Sequence, residues 1–176
     1  MASLTLHRVF VYGTLKRGEP NHHVMTNTEN GTAKFVGEGK TTESWPLVIA
    51  SKYNIPFLLH CKGKGQRVLG EVHEIDDKMK AFLDDFEGHP NFYERDRINI
   101  EFLTERTGLE SGYVPSVGEV IQCETYWLKK FKPHMLEKQF LENYDAKGPH
   151  NLPYVERYAR HLEHATYNVI TDVRQS

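Results

Sequence analysis

Short segments rich in β-branched and aromatic residues, separated by glycine and proline turns, are the feature that most constrains how this chain can fold. Each is typical of a β-strand bounded by turn residues. The predicted strands span residues 7–12, 33–45, 47–50, 57–60, 68–75, 98–102 and 119–128. Glycines within 33–45 also indicate a β-bulge there. Strands and helices do not alternate regularly, which argues against a doubly wound parallel sheet. The pattern predicts a compact, barrel-like α+β fold.

Length and composition favour one ordinary globular domain. The chain has 176 residues, of which 39% are hydrophobic and 26% charged, and its net charge of −2 offers no general attraction for nucleic acid or anionic lipid. It shows no basic, apolar leader and no run approaching the roughly 20 apolar residues of a membrane span. Cys61 and Cys123 are too few for a disulfide framework, so we expect reduced thiols. These features predict a cytoplasmic protein.

One predicted helix, over residues 78–86, has a clear amphipathic pattern. Met79, Phe82 and Phe86 recur at helical spacing on one face. Asp76 can cap its start, and Gly88 is the residue type that ends a helix in the left-handed conformation. Further helices are expected after a cap at residue 21 and over residues 135–144 and 154–165, whereas residues 107–118 read as a surface loop.

Acidic residues stand at the end of the amphipathic helix, where the helix dipole disfavours them. They are Asp84, Asp85 and Glu87. A solvated acidic helix end is one interpretation. The other is a general base, because burial, the helix terminus and neighbouring acids would raise the pKa of Glu87 towards neutrality. Glu71 and Glu124, on predicted strands, remain competing candidates.

The turn after the first strand offers a second chemical feature. Gly13 and Gly18 have the spacing of a phosphate-binding loop, but Glu19 and Pro20 follow where a lysine and a hydroxyl residue would be needed. The backbone N–H groups of residues 13–15 can instead hold a carboxylate or a developing oxyanion. On the sequence of this loop alone, a plain turn is the favoured interpretation.

Other catalytic signatures do not occur. The ten histidines show no zinc-binding spacing, there is no Gly-x-Ser-x-Gly motif, and Cys61 lacks the context of a thiolate nucleophile. The histidines are therefore interpreted as surface or partly buried residues and not as metal ligands.

Several motifs together resemble the gamma-glutamylcyclotransferase-like family. They are VYGTL at 11–15, FLL at 57–59, GEV at 70–72, and LDDFE at 83–87 followed by Tyr93. The resemblance covers residue 8 to about residue 150. It implies a small mixed β-barrel flanked by a few short helices. The motifs PLVI at 46–49 and NIP at 54–56 resemble the branch that acts on gamma-glutamylamines.

The resemblance also implies an activity and a site. The enzyme would release 5-oxoproline and a free amine from a small gamma-glutamyl substrate such as gamma-glutamyl-epsilon-lysine, with Glu87 as the proton shuttle and no cofactor. The turn that lines the site and holds the glutamyl head through backbone amides comprises Tyr12, Gly13, Thr14 and Leu15. Tyr93 and Tyr144 are further candidates for substrate contact. Gamma-glutamyl-amino acids or glutathione are alternative substrates, and a non-catalytic ligand-binding barrel is an alternative function.

The tail looks longer than in the family members that the chain resembles. We assign residues 1–150 to the gamma-glutamylcyclotransferase-like domain and residues 151–176 to a helical extension packed on the same domain. The extension would either cover the site or lengthen the surface, so it bears on substrate range. We expect a monomer that acts on a small molecule, with no nucleic-acid or membrane partner.

Overall fold

The computed structural model describes residues 5–105, 107, 114–163 and 167–175. Its strands are β1 (Leu6–Val11), β2 (Ala33–Thr41), β3 (Leu47–Ala50), β4 (Ile55–Leu58), β5 (Leu69–Asp76), β6 (Glu94–Phe102) and β7 (Val120–Trp127). Its α-helices are α1 (His22–Thr26), α2 (Asp77–Glu87), α3 (Arg157–Glu163) and α4 (Val169–Val173). Two short 3₁₀ helices span Thr28–Asn30 and Pro133–Glu137. No helix of this described part is long and apolar enough to cross a membrane.

Five strands close into a barrel in the order β1-β5-β2-β6-β7. Neighbouring strands are antiparallel except β7 and β1, which pair in parallel and close the barrel. Strands β3 and β4 form a separate two-stranded sheet. The predicted small mixed barrel with a few short helices is confirmed.

The closure between β1 and β7 uses little backbone pairing. Its register is defined by one pair, Val9 opposite Glu124. Two side-chain hydrogen bonds reinforce it: the Thr125 hydroxyl donates to the Phe10 carbonyl at 2.8 Å, and the Tyr12 hydroxyl donates to the Tyr126 carbonyl at 2.7 Å. The strand that leads into the turn at residues 13–15 is therefore held in part by side chains.

Glycines on two strands make room for large side chains in the barrel. A Cβ atom added at Gly39 would lie 2.3 Å from Ile100, and one added at Gly70 would lie 2.5 Å from the Phe10 ring. Both contacted side chains are buried in one apolar cluster. The bulge predicted in β2 lies between Phe35 and Gly37.

Helix α2 packs on the outside of the barrel through Met79 and Leu83, both fully buried. The predicted signals at its ends are confirmed. The Asp76 carboxylate accepts a hydrogen bond from the Met79 N–H at 2.8 Å, and Gly88 adopts the left-handed conformation with φ of 69°. The C-terminal end of α2, where Glu87 lies, therefore has a defined position on the barrel.

The helix predicted over residues 135–144 is wrong. The 3₁₀ helix ends at Glu137, and the chain continues extended from Lys138. Leu141 N–H then donates to the Leu47 carbonyl at 2.8 Å, and the Glu142 carbonyl accepts from Leu69 N–H at 2.8 Å. These backbone bonds to strand residues compete with the helix and explain the difference.

Two other helix predictions need correction. Residue 21 precedes α1 but forms no side-chain cap. The tail helix predicted over residues 154–165 begins at Arg157, and residues 164–166 lie outside the described residues. The predicted loop at 107–118 is described only at 107 and 114–118, where it contains no helix or strand.

Candidate active site

The turn after β1 and the end of α2 meet at one cavity of about 220 Å³. Residues 13–15 line it together with Glu87, and Tyr12 and Tyr93 also reach its wall. The structure thus brings together two features that are some seventy residues apart in sequence.

The turn is fixed by its carbonyl groups, which leaves its N–H groups available. The carbonyl of Gly13 accepts from Lys16 N–H at 3.2 Å, and that of Thr14 accepts from Asn21 N–H at 2.8 Å. None of the N–H groups of residues 13–15 donates a turn, loop or side-chain hydrogen bond within the described part of the chain. A rigid run of free donors is suited to binding an anionic group.

Close packing requires glycine at the first position of this turn. A Cβ atom at residue 13 would lie 2.8 Å from Cγ of Pro56, which lines the same cavity. A side chain there would have to displace either the turn or the start of β4. The absence of a side chain at Gly13 therefore helps to place the donor groups.

Glu87 is the last residue of α2 and is partly buried in the cavity wall. Its carboxyl group forms no hydrogen bond or ion pair with another described residue. Burial raises the pKa of Glu87 to about 7, against a smaller opposing effect of the Arg157 cation. A carboxyl group of this pKa can both take and return a proton near neutral pH.

The neighbouring acids do not have the role predicted for them. Asp84 forms an ion pair with Arg95 and accepts a hydrogen bond from the Tyr126 hydroxyl at 2.7 Å, so its charge is balanced. Asp85 is exposed at the cavity edge. The expectation that these two acids raise the pKa of Glu87 is wrong, because burial is what raises it.

The competing acids lie outside the cavity lining. Glu71 accepts hydrogen bonds from the Arg17 N–H at 3.0 Å and from His73 at 3.1 Å. Burial alone would raise the pKa of Glu71, but these hydrogen bonds outweigh it and hold the pKa below its usual value. Glu124 pairs with Arg95 at 2.9 Å. Both acids have structural partners, and Asp85 is exposed, which leaves Glu87 as the partly buried carboxyl group without a partner among the described cavity residues.

Comparison with known proteins gives a match that includes both the turn at residues 13–15 and Glu87. The model of the family described as Gamma-glutamyl cyclotransferase, AIG2-like matches residues 9–146. The chain belongs to this family. The family and the cyclotransferase class predicted from the motifs are confirmed.

Relatives support this assignment over most of the chain. A Rattus norvegicus protein named Gamma-glutamylaminecyclotransferase is 46% identical over 86% of this chain and 98% of its own length. The Homo sapiens protein of the same name is 44% identical over the same shares. The crystal structure of an AIG2-like protein from Mus musculus has a TM-score of 0.78 and 43% identity, covering 86% of this chain and 97% of that one.

The two tyrosines of the predicted site that reach the cavity are held by carbonyl groups. The Tyr12 hydroxyl is engaged at the barrel closure, and the Tyr93 hydroxyl donates to the Pro56 carbonyl at 3.3 Å. The Tyr93 ring also stacks on Phe57, with ring centroids 5.6 Å apart. In this member of the family, both side chains therefore shape the wall around Glu87.

Tyr144 does not reach the cavity, which corrects its predicted place. It is fully buried in the apolar cluster that contains the barrel residues, and its ring stacks near His150 at 6.4 Å. The buried Lys16 ammonium donates to the Tyr144 carbonyl at 2.6 Å, which anchors the segment away from Glu87.

Part of the cavity wall comes from residues that the sequence analysis did not select. They are Tyr154, Arg157, Arg160, Val169 and Ile170, together with Asn21, Pro56 and Tyr126. The first five follow residue 146, where the family match ends, and belong to the predicted extension. A spacing of three between Arg157 and Arg160 on a predicted helix was the available signal, because such residues share a face.

Asn21 connects this added wall to the turn. Its side-chain amide donates to the Thr14 hydroxyl at 3.0 Å and to the Tyr154 hydroxyl at 2.9 Å. The side-chain oxygen of Asn21 caps no N–H group of α1. The extension is therefore hydrogen-bonded to the part of the turn that carries the free donors.

The two adjacent histidines of α1 contact backbone carbonyl groups and not a cluster of metal ligands. His22 Nδ1 lies 2.9 Å from the Leu15 carbonyl, and His23 Nδ1 lies 3.2 Å from the Pro20 carbonyl. Within the described ranges, no group of three or more His, Cys, Asp or Glu residues is arranged to hold a metal ion. The side chains of His161 and His164 lie outside the description.

Proposed function

We propose that this chain is a gamma-glutamylamine cyclotransferase that releases 5-oxoproline and a free amine. The observation that carries the proposal is Glu87, an unpaired carboxyl group of pKa about 7 in the same cavity as the free N–H groups of residues 13–15. Relatives that are 44–46% identical and are named gamma-glutamylaminecyclotransferase support the same activity.

The reaction needs no nucleophile from the protein. The α-amine of the glutamyl head attacks its own γ-carbonyl, forms a five-membered lactam and expels the amine. Holding the reacting groups together supplies much of the rate. A site with one proton-transfer group and anion-binding donors is sufficient for this chemistry.

Glu87 would act first as a base and then as an acid. As a carboxylate it takes the proton that the α-amine loses on attacking the carbonyl carbon. As a carboxylic acid it returns that proton to the departing nitrogen. Because its pKa is about 7, both forms are populated near neutral pH. The value of kcat/KM should rise with pH through this region, since the carboxylate starts the reaction.

The N–H groups of the turn have two possible partners on the substrate. One is the α-carboxylate, which is present throughout the reaction, and the other is the oxyanion, which develops only during attack. These roles differ kinetically. Loss of carboxylate binding raises KM, whereas loss of oxyanion stabilisation lowers kcat.

The test is to measure 5-oxoproline from gamma-glutamyl-epsilon-lysine, gamma-glutamyl-alanine and glutathione. We expect the first to be turned over with the highest kcat/KM. A preference for either of the others would assign the chain to a different substrate class within the family. Formation of 5-oxoproline from none of the three would refute the enzymatic function in favour of a ligand-binding barrel.

We also propose that the protein acts in the cytoplasm as a monomer on a small molecule, without nucleic acid or membrane. Cys61 and Cys123 are free thiols, and the net charge is −2. Reduced cysteines suit a reducing compartment. Cell fractionation and light scattering on the purified protein test the two parts separately.

A further inference from the structure

Two arginines from the added wall line the cavity of the proposed active site. Arg157 and Arg160 lie on α3, three residues apart and hence on one helix face. Both follow residue 146, the end of the family match. They place cationic groups near a site whose reaction can be described with Glu87 and the turn alone.

Arg160 is held by neutral groups. Its Nε donates to the Val155 carbonyl at 3.0 Å, and its Nη2 donates to the Tyr154 hydroxyl at 2.8 Å. Its guanidinium carbon lies 4.8 Å from the Tyr53 ring centroid. Burial lowers the pKa of Arg160, which means that its charge has been partly removed from water.

Arg157 lies beside the catalytic end of α2. Its guanidinium carbon is 3.9 Å from the centroid of the Phe86 ring, and its Nη2 makes a long contact of 3.4 Å with the Phe86 carbonyl. The side chain is thus held over the residue that precedes Glu87. Most of its donor groups remain available.

Neither arginine has an acidic partner in the described residues. No Asp or Glu carboxylate of this part lies within ion-pair distance of Arg157 or Arg160. For Arg160, which is partly buried, an unpaired charge is unfavourable unless a ligand supplies the opposite charge. Arg157 is exposed at the cavity, so its charge can reach the same ligand. Guanidinium groups match carboxylates particularly well, because their planar donors can form two parallel hydrogen bonds.

We infer that Arg157 and Arg160 form a subsite for a carboxylate on the leaving amine, so that the enzyme selects gamma-glutamylamines whose amine part is an amino acid. This inference rests on the proposed function. The groups assigned to the glutamyl head, Glu87 and residues 13–15, lie inside the family match. The arginines lie outside it, on a wall that the head does not require.

The subsite is connected to the site of reaction. The Tyr154 hydroxyl, which accepts from Arg160, also accepts from Asn21, and Asn21 donates in turn to Thr14. On the other side, Arg157 packs on Phe86 next to Glu87. Both arginines are therefore positioned relative to the two elements that hold the glutamyl head.

The experiment compares gamma-glutamyl-epsilon-lysine with gamma-glutamyl-1,5-diaminopentane, two substrates that differ only by the lysine carboxylate. The readout is the ratio of their kcat/KM values, from 5-oxoproline release. In the wild-type chain we expect a preference of at least about tenfold for the carboxylate-bearing substrate, the size of one charge-assisted hydrogen bond. The ratio cancels effects on Glu87, because both substrates use the same base.

The variants are Arg157→Gln, Arg160→Gln and the double replacement. We expect each single change to reduce the ratio and the double change to bring it close to one. Arg97→Gln is the matched control, since Arg97 is an exposed arginine of β6 outside the cavity lining. It removes the same charge and should keep the wild-type ratio.

A second measurement does not depend on the folding of a variant. Inhibition of the wild-type chain by 6-aminohexanoate is compared with inhibition by pentylamine. We expect the carboxylate-bearing amine to have a Ki at least about tenfold lower. Equal Ki values together with a wild-type substrate ratio near one would overturn the carboxylate subsite while leaving the proposed activity intact. Failure to release 5-oxoproline from either substrate would overturn the proposed function itself.

Discussion

Replacing Glu87 by glutamine should lower activity and raise stability. The replacement keeps the size of the side chain and removes its ability to ionise. Loss of the proposed general base should reduce kcat/KM by about 10²- to 10⁴-fold. The same substitution removes the cost of placing a carboxylate in a partly buried cavity wall, where it has no hydrogen-bond or ion-pair partner among the described residues.

The stability change follows from the pKa of Glu87, which burial raises from 4.5 to about 7. Below pH 4.5 the carboxyl group is protonated in both states and costs nothing. Between pH 4.5 and 7 the unfolded chain loses this proton first, so the free energy of unfolding falls as pH rises. Above pH 7 Glu87 is ionised in both states, and the folded protein bears the full free-energy cost of the buried carboxylate. At about 1.4 kcal/mol per pKa unit this cost is at most about 3.5 kcal/mol, and partial exposure reduces it to about 1–3 kcal/mol.

The assay combines urea unfolding at pH 4, 6 and 8 with initial rates of 5-oxoproline formation. Glu87→Gln should match the wild-type free energy of unfolding at pH 4 and exceed it by about 1–3 kcal/mol at pH 8. Glu29→Gln, at an exposed glutamate, is the control and should alter neither quantity. Wild-type activity in the glutamine variant would place the base elsewhere. If the free energies of unfolding of Glu87→Gln and the wild type differed by the same amount at pH 4 and at pH 8, the argument from burial would be refuted.

Further substitutions test the surroundings of Glu87. Arg157→Gln removes a cation that lowers the pKa of Glu87, so the acidic limb of the kcat/KM profile should move to higher pH when rates are measured from pH 5 to 9. Gly13→Ala places a Cβ atom 2.8 Å from Pro56 and should reduce kcat/KM by roughly tenfold or more in steady-state assays, because the donor turn is displaced. Gly88→Ala forces alanine to a φ of 69° and should cost about 1 kcal/mol, read as a lower urea midpoint.

Local signals in the sequence were enough to predict much of the fold. Helix α2 was predicted to within one residue at each end, because Asp76 and Gly88 determine its boundaries through short-range chemistry. The barrel strands were found because each combines β-forming residues with nearby turns. The segment after Glu137 was mispredicted, since its backbone groups bond to Leu47 and Leu69, which are distant in sequence. No local pattern reports such partners.

In the site, too, features with local sequence signals were predicted and contacts between distant residues were not. Glu87 and the turn at residues 13–15 were selected from motifs, and the structure places them at one cavity. The balance of the Asp84 charge by Arg95 could not be predicted, because the partner comes from another strand. Arg157 and Arg160 were not selected, because only the packing of α3 shows that their shared helix face lines the cavity.

The parallel pairing of β1 with β7 has a consequence for how the molecule responds to heat. Segments held by few backbone hydrogen bonds open at lower free-energy cost than the whole fold. Here the sparsely paired edge is the one that joins β1, the strand before the donor turn, to β7. It has one defined register pair, Val9 and Glu124, whereas the other edge of β1 pairs with β5 at six positions. Transient separation of β1 from β7 would displace the turn at residues 13–15 while the antiparallel pairs of the barrel, including β1 with β5, stay intact. Thermal inactivation would then begin below the temperature of global unfolding, and the amides of β1 that face β7 would exchange faster than those of β1 that pair with β5.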